Sequence, residues 1–407
     1  MKVFALAGVV FLCATPLVLP NGGWLGLCAL AAMGGMQLLR GGGIKILPTS
    51  VRWLGLVPLI LVVAVLLASG WHGEWRSGLP LLLVAMLSAL AAFSLPVFKL
   101  RAAFVFAAFA LTGIISGGWA VWQKAVWDVW RAQGHEPLHP ILFGNMSLAA
   151  SLVCLAGLAW ARQLTNRRAW LLLLCLGALG GLSASLLSGA RGGWLALPLV
   201  GLIFYRVYLY RWPLLWRSGL LAFIAILLFG VYSVPQTNVQ ERVHRAVEQG
   251  RDYWHGEANG SVGIRLELYR TGIQLIADKP WLGYSLDGYQ SAMQALYDDG
   301  EVQGVVAQNW HAHNDILNAW LRYGVVGMLA TLLFYGVPFG YFASKLFHAD
   351  SSMRPIILAG MLLPVLFFYF GLTYSFFAYP VALGAYWLWI LLIVATYLSS
   401  PVGGQKN

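Results

Sequence analysis

The sequence predicts an all-α integral membrane protein of about twelve transmembrane helices, with one long helical loop between the ninth and the tenth. Three observations carry this. Of the 407 residues 59% are hydrophobic and only 10% charged, against roughly 25% charged in an ordinary soluble domain. Apolar runs of the roughly 20 residues needed to cross a bilayer recur along the whole chain. Lysine and arginine also concentrate in every second connection, as the positive-inside rule requires.

The expected spans are 3–19, 24–39, 53–69, 79–98, 102–122, 141–161, 169–188, 192–209, 214–234, 314–344, 354–372 and 381–398. The first has the charged start of a signal peptide, Lys2, but Val10-Phe11-Leu12-Cys13 lacks the small residues of a lipoprotein cleavage site. Since cleavage would leave the orientation of the rest unchanged, it is read as a retained helix. The tenth is overlong, so its first turns are expected outside the hydrocarbon. With a cytoplasmic N-terminus, the inside segments hold fifteen basic residues and the short outside loops four: Arg76, Lys124, Arg131 and Arg191. The long connection then lies outside with ten of the fifteen acids. The chain divides into spans 1–9 (1–234), a loop domain (235–313) and spans 10–12 (314–407).

Three helices are expected in the loop. Thr237 with Gln240 forms a capping box for a helix through Arg251. Ser261 caps a second, on which Arg265, Tyr269 and Ile273 share a face. A turn at Pro280, Gly283 and Gly288 precedes a third helix running through Tyr297. The net charge of +11 is scattered between apolar spans rather than gathered on an aromatic patch, which argues for membrane lipids and against nucleic acid as the partner. All four cysteines lie inside apolar runs and form no CxxC pair.

Chemistry concentrates at two places. Gly189-Ala190-Arg191-Gly192-Gly193 joins two spans by a tight outside turn. Arginine near hydrocarbon costs roughly 2.5–3.5 kcal/mol on insertion scales, while flanking glycines admit a ligand and a guanidinium grips phosphate at two points. An interfacial anchor is the plainer reading of Arg191. The second place is Trp310-His311-Ala312-His313-Asn314-Asp315, where the long loop ends. A His-x-His pair suggests a metal, but on a helix the two rings point about 200° apart, and no third ligand stands at a familiar spacing. A histidine acting as proton acceptor, or a structural one, remains. Arg322, inside the tenth span, is expected to pair with Asp315 or to snorkel. No phosphate-binding GxxxxGK[ST], DxD, Gly-x-Ser-x-Gly or HExxH motif is present.

In order, spacing and shared side of the membrane, these residues resemble the O-antigen ligase and polymerase superfamily of bacterial inner-membrane glycosyltransferases. Gly189-Ala190-Arg191-Gly192-Gly193 is similar to its Arg-Gly motif. Arg265 with Tyr269, then Lys279-Pro280-Trp281-Leu282-Gly283-Tyr284, resembles its loop pattern, and His313-Asn314, ten residues before Gly324-Val325-Val326-Gly327, its His-Asn motif. The layout most resembles the O-antigen ligases. The resemblance implies a periplasmic active site in the inner membrane, with both termini cytoplasmic. It implies an undecaprenyl pyrophosphate-linked glycan as donor and a lipid A–core sugar hydroxyl as acceptor, with no cofactor or metal. It implies that Arg191 and Arg265 neutralise the pyrophosphate and His313 is the base, while Gly192, Gly193, Tyr269, Asn314 and His311 contact substrate. His311 is a departure from the motif and leaves the choice of base between His311 and His313 open. Alternatives are O-antigen polymerase or a protein O-oligosaccharyltransferase of the same superfamily. A transporter fits less well, because no internal repeat is visible and the spans hold almost no charge.

Overall fold

The computed structural model describes residues 17, 19, 22–42, 45, 47–97, 99–135, 138–210, 212–233, 239–255 and 260–400. Almost all of the expected first span, and Thr237 of the expected capping box, lie outside the described residues.

Every regular element among the described residues is helical. In chain order they are α1 (Gly22–Gln37), α2 (Trp53–His72), α3 (Trp75–Ala92), α4 (Ala102–Val126), α5 (Pro140–Ala161), α6 (Arg167–Ser188), α7 (Leu197–Phe204, entered through a 3-10 turn at Gly192–Ala196) and α8 (Leu214–Ser233). The loop adds α9 (Val239–Trp254), α10 (Gly260–Asp278), α11 (Ser285–Asp298) and α12 (Gly304–Ala307), and the chain ends with α13 (Asp315–Leu346), α14 (Arg354–Thr373) and α15 (Pro380–Leu398). Among the described residues nine segments are long and apolar enough to cross a membrane: α2 to α6, Gly192–Leu209, and α13 to α15. The protein is a multi-span helical membrane protein.

Lipid gives apolar surfaces no reason to leave it, so these helices associate through close fit. The interface of α4 with α6 is the clearest case. A Cβ on Gly113 would stand 2.0 Å from the Gly177 carbonyl oxygen, and one on Gly117 would stand 2.6 Å from Gly180. The two backbones therefore touch. At the centre, α15 is buried on all sides and stacks Trp387 on Phe334, Trp389 on Phe109 and Tyr386 on Phe367.

A smaller apolar core lies at one end of the bundle. Leu268, Leu275, Tyr289, Met293, Val306 and Ala312 of the loop segments pack there with Leu321 of α13. The α2–α3 turn pins this assembly. The His72 ring nitrogen Nε2 is 3.0 Å from the Gly283 carbonyl, and the Glu74 carboxylate accepts from Ser285 Oγ and the Asp287 amide at the start of α11.

Four local expectations need correction. Ser261 is not the cap: it lies within α10, which begins one residue earlier at Gly260, with φ +76°. Gly288 belongs to α11 rather than to the turn. Ile273 is 62% exposed and does not share the inward face of Arg265 and Tyr269. Arg322 neither pairs with Asp315 nor snorkels. It is buried, donates to the Trp310 carbonyl and lies 5.1 Å from the Trp310 ring centroid. Asp315 instead accepts from the Tyr335 hydroxyl at 2.6 Å and the Phe377 amide at 2.7 Å.

The overlong α13 is broken at Gly324, with φ +63° and ψ −163°. The backbone groups freed there find partners in the turn after α10. Val325 N donates to the Pro280 carbonyl at 3.1 Å, and Tyr284 N to the Leu321 carbonyl at 2.7 Å. The approach is so close that a Cβ on Gly324 would fall 1.8 Å from the Trp281 carbonyl oxygen. Glycine meets both demands, a positive φ and no Cβ. Lys279–Gly283 and Gly324 are thus two halves of one joint, which sets α10 over the start of α13.

Candidate functional site

The Trp310–Asn314 loop enters α13 through an N-cap: Asn314 Oδ1 accepts from Leu317 N at 3.1 Å, a bond worth about 1 kcal/mol at such positions. Asn314 N also donates to Ser375 Oγ at 3.1 Å, tying the cap to the connection between α14 and α15. The His311–His313 stretch is irregular rather than helical, so the 200° separation expected of a helix does not hold. The two ring centroids are 4.4 Å apart. His313 has φ +53°, a conformation that costs a non-glycine residue about 1–3 kcal/mol and persists only where surroundings impose it. His311 helps to impose it, since its Nδ1 accepts the His313 amide at 3.2 Å.

That bond separates the two histidines. His311 is 3% exposed, its Nδ1 is engaged by backbone, and its Nε2 lies 3.5 Å from the Tyr379 hydroxyl. His313 places Nε2 3.1 Å from Asn309 Oδ1, while its Nδ1 is buried with no hydrogen-bond partner. Burial, and then the neighbouring positive groups Arg265 and His139, lower the His313 pKa to about 4. Burial, followed by His313 and Arg322, takes His311 to about 2. Both rings are therefore neutral at pH 7, and His313 has a lone pair to offer.

The remaining walls come from separate elements. From α10, Tyr269 brings its hydroxyl to 2.7 Å from the Leu372 carbonyl and 3.2 Å from that of His313, holding the histidine loop against the end of α14. One turn earlier on the same helix, Arg265 lies in the electrostatic reach of Tyr269, Tyr374 and His313, and burial lowers its pKa. A guanidinium stays protonated regardless. Among the described residues no carboxylate pairs with it.

The turn at 189–193 reaches this end by a different route. Gly189, with φ +65°, closes α6, and Arg131 Nε donates to the Ser188 carbonyl at 2.7 Å. Half-buried Arg191 precedes the 3-10 turn. Gly192 packs on Thr373 so tightly that a Cβ would be 2.4 Å from Thr373 Oγ1, and Gly193 packs in the same way on Asn145. The next residue after Thr373 is Tyr374, whose ring lies 4.7 Å from His311 and 5.1 Å from His313. The fold thus gathers Arg265, Tyr269, His311, His313 and Asn314 directly. It joins Gly192, next to Arg191, to them through Thr373 and Tyr374.

His139, Arg131, Tyr374 and Tyr379 also stand at this site and were not singled out from the sequence as site residues. His139 caps α5, accepting from Ile141 N at 3.3 Å through Nδ1, and stacks on Tyr374 at 5.5 Å. Its pKa is lowered by burial and by Arg131. Tyr374 and Tyr379 stack at 5.7 Å with their hydroxyls 2.6 Å apart. Only the His139-Pro140 helix start and the shared membrane side of Arg131 hinted at the first two. No group of three His, Cys, Asp or Glu side chains among the described residues is arranged to hold a metal ion. What the site offers is a neutral imidazole whose Nδ1 has no partner, an arginine without a carboxylate among the described residues, and surrounding aromatic rings. That combination can take a proton from a hydroxyl while stabilising an anion.

Comparison with known proteins points to the same segment. A family model described as O-antigen ligase matches residues 177–332, which take in the Arg191 turn, α10 and the histidine loop. An uncharacterized protein of Haemophilus influenzae is 26% identical over 200 residues, 48% of this chain and 49% of that protein. The O-antigen ligase of Escherichia coli K12 is 24% identical over 151 residues, 37% of this chain and 36% of that enzyme. The matched stretches thus span half or less of either relative.

Proposed function

Taking as premise membership of the O-antigen ligase superfamily, which the family match and the Escherichia coli relative support, we propose that this protein is an O-antigen ligase. It transfers a preassembled glycan en bloc from undecaprenyl pyrophosphate to a sugar hydroxyl of lipid A–core, at the periplasmic face of the bacterial inner membrane. The basic inside connections support that orientation, with both termini cytoplasmic and the 235–313 loop domain periplasmic.

The observation that carries this reading is that His313 and Arg265 stand within electrostatic reach of each other. His313 keeps a buried Nδ1 without a partner, and Arg265 faces no carboxylate among the described residues. The acceptor oxygen attacks the anomeric carbon, its proton passes to His313 Nδ1, and the bond from that carbon to the pyrophosphate oxygen breaks. The leaving undecaprenyl pyrophosphate takes the electron pair, and its charge is met by Arg265 and Arg191. One base and one cationic clamp suit a single displacement with inversion, unlike glycoside hydrolysis with its two carboxylates. A base whose pKa is lowered to about 4 is weak. A bound pyrophosphate beside Arg265 reverses part of that shift, because it adds negative charge next to the imidazole. The apolar groove of about 320 Å³ lined by Leu199 of α7, by Tyr335 and Phe339 of α13 and by Phe368 of α14 offers the lipid tail a path into the bilayer.

Purified protein supplied with single-repeat donor and lipid A–core should add one repeat per acceptor. Supplied with donor alone, it should build nothing longer than the donor. A ladder from donor alone replaces ligase with polymerase and leaves the roles of Arg191, Arg265 and His313 standing.

A further inference from the structure

The histidine that carries the proposed chemistry is held by a side chain that no motif marks. Asn309 follows the short helix α12, and its Nδ2 donates to the Val305 carbonyl at 2.8 Å, with the Val306 carbonyl at 3.4 Å. Turning the amide over would set Oδ1 against those two carbonyl oxygens, acceptor against acceptor, so the orientation has a physical reason. Oδ1 is then the atom that meets His313 Nε2 at 3.1 Å. An amide oxygen only accepts, so Nε2 must carry the proton. A neutral imidazole has one proton, and Nδ1 is left with the lone pair. Nδ1 is also the His313 atom that is buried without a partner.

We propose that Asn309 is a positioning residue that selects the Nε2–H tautomer of His313 and so makes Nδ1 the proton-accepting atom. This rests on the transfer reading above for its consequence, though not for the tautomer itself. The neighbouring histidine shows why selection is needed. His311 also holds its proton on Nε2, because its Nδ1 accepts the His313 amide. Its lone pair is therefore occupied. In His313 the protonated nitrogen is tied down by Asn309, and the basic one is left without a partner. Without Asn309 the ring can place its proton on either nitrogen and can rotate about its side-chain bonds, and each alternative takes the lone pair away from the acceptor hydroxyl. The charged and titratable groups around His313 are Arg265 and Tyr269 on α10, His139 before α5, Tyr374 after α14 and His311 in its own loop. None of them is placed to accept from Nε2 in the structure.

The test labels the histidines with nitrogen-15 in full-length protein in lipid nanodiscs, assigning His313 by loss of its signals in His313→Ala. At pH 7 the parent should show a protonated Nε2 and a bare Nδ1 at His313. Asn309→Ala should give a mixture of tautomers at His313 with the His311 signals unmoved, which also reports that the loop is folded. Transfer should fall about ten- to a hundredfold in kcat, the usual size for a group that orients a catalytic ligand, with KM little changed. Asn309→Asp keeps an acceptor for Nε2–H and adds an anion, so it should retain the single tautomer and move the acid limb of kcat to higher pH. A proton on Nδ1 in the parent, or a single unchanged tautomer in Asn309→Ala, overturns the proposal. So does an unmoved acid limb in Asn309→Asp. Absence of transfer by the parent would count against the ligase reading alone, since the tautomer is read without substrate.

Discussion

Arg265 and Arg270 sit five residues apart on α10 and meet opposite surroundings. Arg270 lies on the solvent side, 46% exposed, and is clasped by Glu267, which also accepts from the Tyr253 hydroxyl at 2.9 Å. The Glu267 hydrogen bond raises its pKa. Arg265 lies on the inward side among Tyr269, Tyr374 and His313, and burial lowers its pKa. One face of the helix neutralises its own cation. The other holds a half-buried cation beside two neutral histidines, with no carboxylate against it among the described residues. A charge drawn partly out of water without a partner is costly to keep. The difference teaches where an anion belongs, and charge counts along the sequence treat the two arginines alike.

The largest expected effect lies on the inward side. His313→Ala should reduce transfer by about a thousandfold or more, the range of a lost general base, with donor binding largely intact. His311→Ala should cost less, because its bond to the His313 amide shapes the loop without offering a lone pair. Rates and donor affinity measured for both variants decide the matter. Near-normal transfer in His313→Ala with a dead His311→Ala would exchange their roles.

Next come the cations. Arg265→Lys and Arg191→Lys should each lower kcat by about a hundredfold, since an ammonium keeps the charge but loses the planar two-point grip on phosphate. Should Arg191→Lys match the parent while Arg265→Lys fails, Arg191 becomes an interfacial anchor and Arg265 the principal clamp. The geometry leaves room for that result, because the packing that links the 189–193 turn to the histidines runs from Gly192 through Thr373 to Tyr374.

The contrast on α10 also shows what the sequence could reveal. Helix positions were legible from apolar run length, and 141–161 and 354–372 fall within a residue of α5 and α14. The segments bearing Arg191, Arg265 and His313 were legible from short local patterns. Pairings made by the fold alone were not. His139 and Tyr374 are single polar residues in short connections, 235 positions apart, with no spacing that links them. Nothing local says that Gly324 breaks α13 to receive the 280–283 turn, because the freed bonds are satisfied by a segment some forty residues away. For Arg322 charge and length offer only Asp315 or the membrane surface, whereas Trp310 provides both a carbonyl and a ring. Asn309 escaped notice since its meaning depends on a bond geometry.

The smallest effect is the sharpest control. Arg270→Ala removes an ion pair whose arginine is 46% exposed. Pairs of this kind contribute only about 0.2–1 kcal/mol, and less as salt rises. Glu267, by contrast, is mostly covered. It keeps the Tyr253 hydroxyl as a partner when Arg270 is gone, so the truncation does not strand a bare buried carboxylate. Transfer by Arg270→Ala should therefore stay within about twofold of the parent, and donor KM should not move. The same substitution at Arg265 removes the cation beside His313 and should raise donor KM as well as lower kcat. If Arg270→Ala proves as damaging as Arg265→Ala, general positive charge on α10 draws in the anionic donor and the inward face has no special role. Repeating both assays at high salt separates the cases, because long-range attraction is screened over about 3 Å at 1 M while a buried contact is screened much less.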